Sequence, residues 1–174
     1  GALFGLYDWK FDVMGLVAHA HDLEKRFGIG PHTISFPRMQ PAPGSFLSEN
    51  SPYTVNDAVF MHIVTVLRLA VPYTGLIVTA RENADIRRKV VKLGCTQMDA
   101  SSKIGIGAYA EKKTQEENAD KVQFLLGDQR SLDEVVRELA EAGHITSFCT
   151  AGYRCGRTGD KIMSLLEKGV EGKF

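Results

Sequence analysis

Apolar residues recur at spacings of three and four through residues 12–27, with Val13, Leu16, Val17, Ala20 and Leu23 on one stripe, which predicts a helix. Gly28 and Gly30 stop it. Residues 33–36 then read as a short buried strand closed by Pro37, and residues 39–52 as a loop rich in Pro, Ser and Gly. That loop is longer than most structural connections, which marks it for function. Asn56 caps a second helix over 57–71, with Phe60, Ile63, Val64, Leu67 and Val71 on one face and Pro72 as its stop. A second apolar strand follows at 75–79, a helix at 82–93 ended by Gly94, and a weak third strand at 96–98. Alternating strand and helix argues for an α/β fold built of βαβ units around a parallel sheet. At this level a barrel strand and a doubly wound strand look alike.

Beyond Ala100 the pattern changes. Gly105, Ile106 and Gly107 form a glycine-rich loop, and residues 111–120 a polar connection. Ser131 and Glu134 are spaced as a capping box that opens a helix running to about residue 142. Residues 147–159 are dense in Cys, Arg and Gly, and a last helix is predicted over 160–168. The chain opens on residues 1–7 with no polar lead-in, as the middle of a strand and its following loop would. Residues 171–174 stop without a terminating element, so both ends are expected to be cuts in a longer chain.

The bulk numbers narrow the function classes. The 174 residues are one typical domain, 44% hydrophobic and 24% charged. The 21 basic and 21 acidic residues cancel, so no basic field suits nucleic acid or anionic lipid. No apolar run approaches the roughly 18 residues that span a membrane. Cys95, Cys149 and Cys155 are an odd set, which argues against a disulfide framework and for a reducing, cytoplasmic setting.

Several groups are candidates for chemistry. Gly1, Leu3 and Gly5 lead to Asp8, an arrangement that lets a flat ring approach backbone at the glycines while Leu3 packs on its face; a tight turn before the helix is the plainer reading. His19 and His21 lie two apart on a helix and cannot grip one metal together; His19 falls near the apolar stripe, as a half-buried histidine or a metal ligand. Arg38 and Arg81 each follow a strand at its C-terminal end, where parallel α/β folds place their ligand crevice and a guanidinium can fork a carboxylate. Ser101 and Ser102 are hydroxyl donors at the same rim. Cys149 and Cys155, among Gly152, Gly156 and Gly159, suit an iron–sulfur or zinc site, although their spacing is not a standard one; Cys95 reads as a small core residue.

Together, residues 1–8, 30–38, 79–82, 105–109, 149–151 and 156–159 resemble the tyrosine lyases of the radical S-adenosylmethionine (SAM) superfamily. That family comprises the [FeFe]-hydrogenase maturase and the 2-iminoacetate synthase of thiamine biosynthesis. The loop after Arg38 and the Cys149-Thr150-Ala151 and Gly156-Arg157-Thr158-Gly159 runs look more like the maturase. The resemblance implies the C-terminal half of a radical SAM (β/α)₈ TIM-type barrel over 1–110, and over 111–174 a C-terminal helical extension with an auxiliary cluster.

It implies cleavage of the Cα–Cβ bond of L-tyrosine to p-cresol and dehydroglycine, which the maturase converts to CO and cyanide for hydrogenase assembly. It places SAM contacts at Gly1, Leu3, Gly5, Ser35 and Arg38, the last two in a rim motif. The tyrosine carboxylate falls to Arg81, with Ser101 beside it, and auxiliary iron to His19, Cys149 and Cys155. Its partners are hydrogenase maturation proteins and the other barrel half. Two departures stand out. Gly152 occupies the place of a cluster cysteine, and no Cys-x₃-Cys-x₂-Cys run that would hold the SAM-cleaving [4Fe–4S] cluster occurs in these residues. The competing class is a non-catalytic half-barrel that docks a partner through its open edge.

Overall fold

The computed structural model describes residues 1–42, 44–104 and 126–148. Helix α1 is Trp9–Phe27, three residues longer at its start than the apolar stripe indicates. Asp8 explains the difference: its carboxylate accepts from the Lys10 amide and caps the helix a turn before the stripe begins. Gly28, with φ 73°, closes it in the left-handed conformation that glycine adopts without strain. Strand β1 is Thr33–Ser35. The expected loop over 39–52 contains a short helix, α2 (Phe46–Asn50), which buries nothing and so left no apolar period.

Helix α3, Asp57–Ala70, is capped by Asn56, whose side chain accepts from the Val59 amide at 2.9 Å. Strand β2 is Gly75–Val78 and helix α4 is Ala84–Lys92. The helix expected from residue 82 begins later because Asn83 is its cap, which leaves Glu82 in the turn before it. Strand β3 is Gln97–Met98, and helix α5, Leu132–Glu141, opens on the capping box of Ser131 and Glu134.

The three strands form a parallel sheet in the order β1-β2-β3, with Ser35 beside Ile77 and Ile77 beside Gln97. The opening residues extend it. Phe4 bridges Arg38 in parallel, the Ala2 amide donates to Ser35 O, and the Phe4 amide donates to Pro37 O. The expected strand over the opening residues is reduced to this isolated bridge at Phe4, flanked by hydrogen bonds to Ser35 O and Pro37 O.

Parallel register puts paired residues on one side of the sheet, and pleating alternates sides along each strand. Even-numbered Phe4, Ile34, Phe36, Leu76 and Val78 are buried in one core with Val13 and Ala20 of α1, the apolar face of α3, and Ile86 and Val90 of α4. Odd-numbered Leu3, Ser35, Ile77 and Gln97 are only partly buried. The helices that share this core thus lie on one side of the sheet, as in a barrel wall, whereas a doubly wound sheet is covered on both. Among the described residues the sheet has three strands.

Candidate functional site

The C-terminal strand ends carry the candidate residues, and the alternation sorts them. Gly1, Leu3 and Ser35 belong to the odd, open face. Gly1 lies so close to β1 that a Cβ there would stand 2.4 Å from Ser35 O. Gly5, just past the bridge at Phe4, is buried at φ 109°, and a Cβ would meet that of Met39 at 3.1 Å. Both glycines therefore have a local packing reason, beside any ligand they admit. The Ser51 hydroxyl, buried in the long loop, donates to Gly5 O at 2.6 Å and ties this segment to the loop.

Past β2, residues 79–82 form a turn closed by the Glu82 amide on Thr79 O. The alternation runs through it: Ala80 and Glu82 are buried, while Thr79 and Arg81 are partly exposed. The Thr79 hydroxyl is shielded from solvent without a hydrogen-bond partner. Sequence reasoning did not single it out; its odd position beside Arg81 was the available signal. Ser101, after β3, is exposed at φ 56°, strained for a residue with a Cβ, and its amide donates to Arg130 O.

Arg38 lies on the other face, and its expected role changes accordingly. The carboxylate in its fork belongs to Glu82 of the same chain. Nε and Nη2 take the two oxygens of Glu82, Nη1 donates to Val55 O at 2.9 Å, and Nη2 also meets Asp57 at 2.8 Å. The Phe60 ring lies 4.6 Å beneath the guanidinium. Burial pulls the Arg38 pKa down, but the bond to Glu82 and the charges of Glu82 and Asp57 outweigh it, and the group is held above its usual value.

A second charged set, buried at Arg87 and Asp128, was not anticipated. Arg87, 1% exposed within α4, binds Asp128 and the carbonyl of Asp99. Arg130 binds Asp128 and Glu138, and Arg88 also reaches Glu138. Burial raises the Asp128 pKa, yet the hydrogen bonds from Arg130 and the charge of Arg87 bring it down to about 2. The helical phase, with Arg87 three and four residues before Val90 and Val91, was the signal that it turns inward. The amides of Gly127 and Asp128 both donate to Ala80 O, so this set anchors residues 126–130 against the turn after β2.

His19 stands exposed on α1, which corrects the half-buried expectation. Cys149, Cys155 and the loop at Gly105 lie outside the described residues. Among the described residues, no three His, Cys, Asp or Glu side chains are grouped to hold a metal, and no helix is long and apolar enough to cross a membrane. Cys95 is buried as expected, and burial pushes its thiol up to about 12.

A helical layer on one side of a parallel sheet, with polar groups at the strand C-termini, is the arrangement that β/α barrels use at their ligand-binding end. Residues 35–145 match the biotin and thiamin synthesis associated domain model, and the chain belongs to that family. Within it, the chain falls in the radical SAM group that holds the 2-iminoacetate synthases and the [FeFe]-hydrogenase maturases. It is 44% identical to the crystal structure of HydG, a maturase of the [FeFe]-hydrogenase, with a TM-score of 0.83 over 96% of this chain and 35% of that one. It is 46% identical to the FeFe-hydrogenase maturase HydG from Carboxydothermus hydrogenoformans, at 0.72 over 89% of this chain and 34% of that one. The 2-iminoacetate synthase of Salmonella typhimurium is 29% identical over 145 residues, 82% of this chain and 36% of that protein. The chain thus spans about a third of the length of the relatives it matches.

Proposed function

We propose that this chain is the tyrosine- and SAM-facing part of a radical SAM carbon–carbon lyase of the hydrogenase-maturase type. The observation that carries the reading is the sorting of candidates by sheet face. Gly1, Leu3 and Ser35 share the face free of core helices, with Arg81 in the turn at its rim. On this reading the backbone at Gly1, Leu3 and Gly5 and the Ser35 hydroxyl receive SAM, whose flat adenine suits an uncovered strand face. The Arg81 guanidinium orients L-tyrosine by its carboxylate, with the Ser101 and Thr79 hydroxyls nearby. When bound, SAM and its [4Fe–4S] cluster supply the 5′-deoxyadenosyl radical that begins cleavage to p-cresol and dehydroglycine. The part of this chain's own residues is to hold SAM and the substrate in place. His19, Cys149 and Cys155 are the proposed ligands of auxiliary iron. The setting is a reducing cytoplasm, and the partners are hydrogenase maturation proteins.

The higher identity to the two maturases favours that role over 2-iminoacetate synthesis. The second reading rests on the Salmonella relative. Iron counting on the full-length protein separates them: about four irons per chain fits the synthase, about twice that the maturase. Arg81→Ala in the full-length enzyme is expected to lose p-cresol formation and weaken tyrosine binding. Unchanged activity and affinity would refute the carboxylate assignment.

A further inference from the structure

We infer that Arg38 and Glu82 are positioning residues whose buried ion pair fixes the placement of Arg81. The inference rests on the reading of Arg81 as the tyrosine anchor. Glu82 immediately follows Arg81, is 2% exposed, and has both oxygens held by the Arg38 fork. Arg38 is itself tied to Val55 O and Asp57 and is packed on Phe60, so the fork is attached to the start of α3. From the opposite flank, the Gly127 and Asp128 amides hold Ala80 O at 2.9 and 3.0 Å. A Cβ on Gly127 would stand 2.6 Å from Arg81 O, so the second clamp touches the Arg81 peptide itself.

Arg81 is therefore the centre of a turn gripped on both sides, and neither grip uses its side chain. A carboxylate-binding arginine acts through direction, because two parallel hydrogen bonds require the guanidinium plane to match the substrate. A turn that can tilt loses that match while keeping its charge. The Arg38 fork and the Gly127 contact remove the tilt from opposite directions. SAM, placed on residues 1–5 and β1, should be indifferent to it.

The test measures L-tyrosine and SAM binding separately in the full-length, cluster-loaded enzyme. Glu82→Gln, and Arg38→Lys with its single ammonium, should each raise the tyrosine dissociation constant by about tenfold or more. SAM affinity should stay within about twofold of wild type. Weakening of both ligands together, or a lowered melting temperature with tyrosine affinity intact, overturns the inference. If Glu82→Gln does not fold, Gly127→Ala leaves both ion-pair side chains in place and presses on the turn backbone, 2.6 Å from Arg81 O and 2.8 Å from the Glu82 carbonyl carbon; selective loss of tyrosine supports the inference and unchanged affinity overturns it. Arg81→Gln is the control. Tyrosine binding untouched by that change defeats the anchor reading and the inference with it. Loss there, but none in Glu82→Gln, defeats the positioning role alone.

Discussion

The two faces of this sheet are made of the same strands and do opposite things. On the even face, Phe4, Ile34, Phe36, Leu76 and Val78 meet α1, α3 and α4, and the charges that enter, Arg38, Glu82 and Arg87, are paired inside the chain. On the odd face, Leu3, Ser35, Ile77 and Gln97 are partly exposed and the Thr79 hydroxyl has no partner. Two arginines at neighbouring strand ends illustrate the difference. Arg38 is consumed by internal carboxylates, whereas Arg81 sits between two buried neighbours in a turn built to hold it. A strand-end arginine is thus no guide to function until its face is known.

The comparison can be broken most severely in the covered face. Phe60 is 1% exposed and touches both the Phe36 ring and the Arg38 guanidinium. Phe60→Ala should cost about 3–5 kcal/mol in urea unfolding, and Ile77→Ala on the odd face should cost much less. Equal costs would mean the faces are not distinct.

Acid should act next. The Asp128 carboxyl is depressed to about 2 from its ordinary 3.8, so its contribution is full above the ordinary value and is lost as pH falls through about 2. Urea midpoints between about pH 4 and about pH 2 should record a loss of about 2 kcal/mol, and Asp128→Asn should flatten that slope. The smallest effect should come from Ser51→Ala, which removes the bond to Gly5 O and the one accepted from the Tyr53 amide and should cost about 1 kcal/mol in thermal unfolding.

Much of this was legible in the chain. The stripe Phe60, Ile63, Val64, Leu67 behind Asn56 specified α3, because burial and cap chemistry agree there. The first turn of α1 was missed because Trp9, Lys10 and Phe11 precede the stripe, and α2 because it buries nothing. Period-two reading carried more than was taken from it. Arg38 is in phase with Ile34 and Phe36, and Arg81 is out of phase with Leu76, Val78 and Ala80, so the faces of the two arginines were already written. What no local pattern gives is the partner: Glu82 lies 44 residues from Arg38 and Asp128 lies 41 from Arg87. Such pairs exist only once the strands are in register.

The division of labour between the two arginines is tested most directly by the crystal structure of the full-length enzyme with L-tyrosine bound. The substrate carboxylate should lie within about 3 Å of the Arg81 guanidinium, with Arg38 still forked onto Glu82. A carboxylate found on Arg38, with Glu82 displaced, would contradict the account.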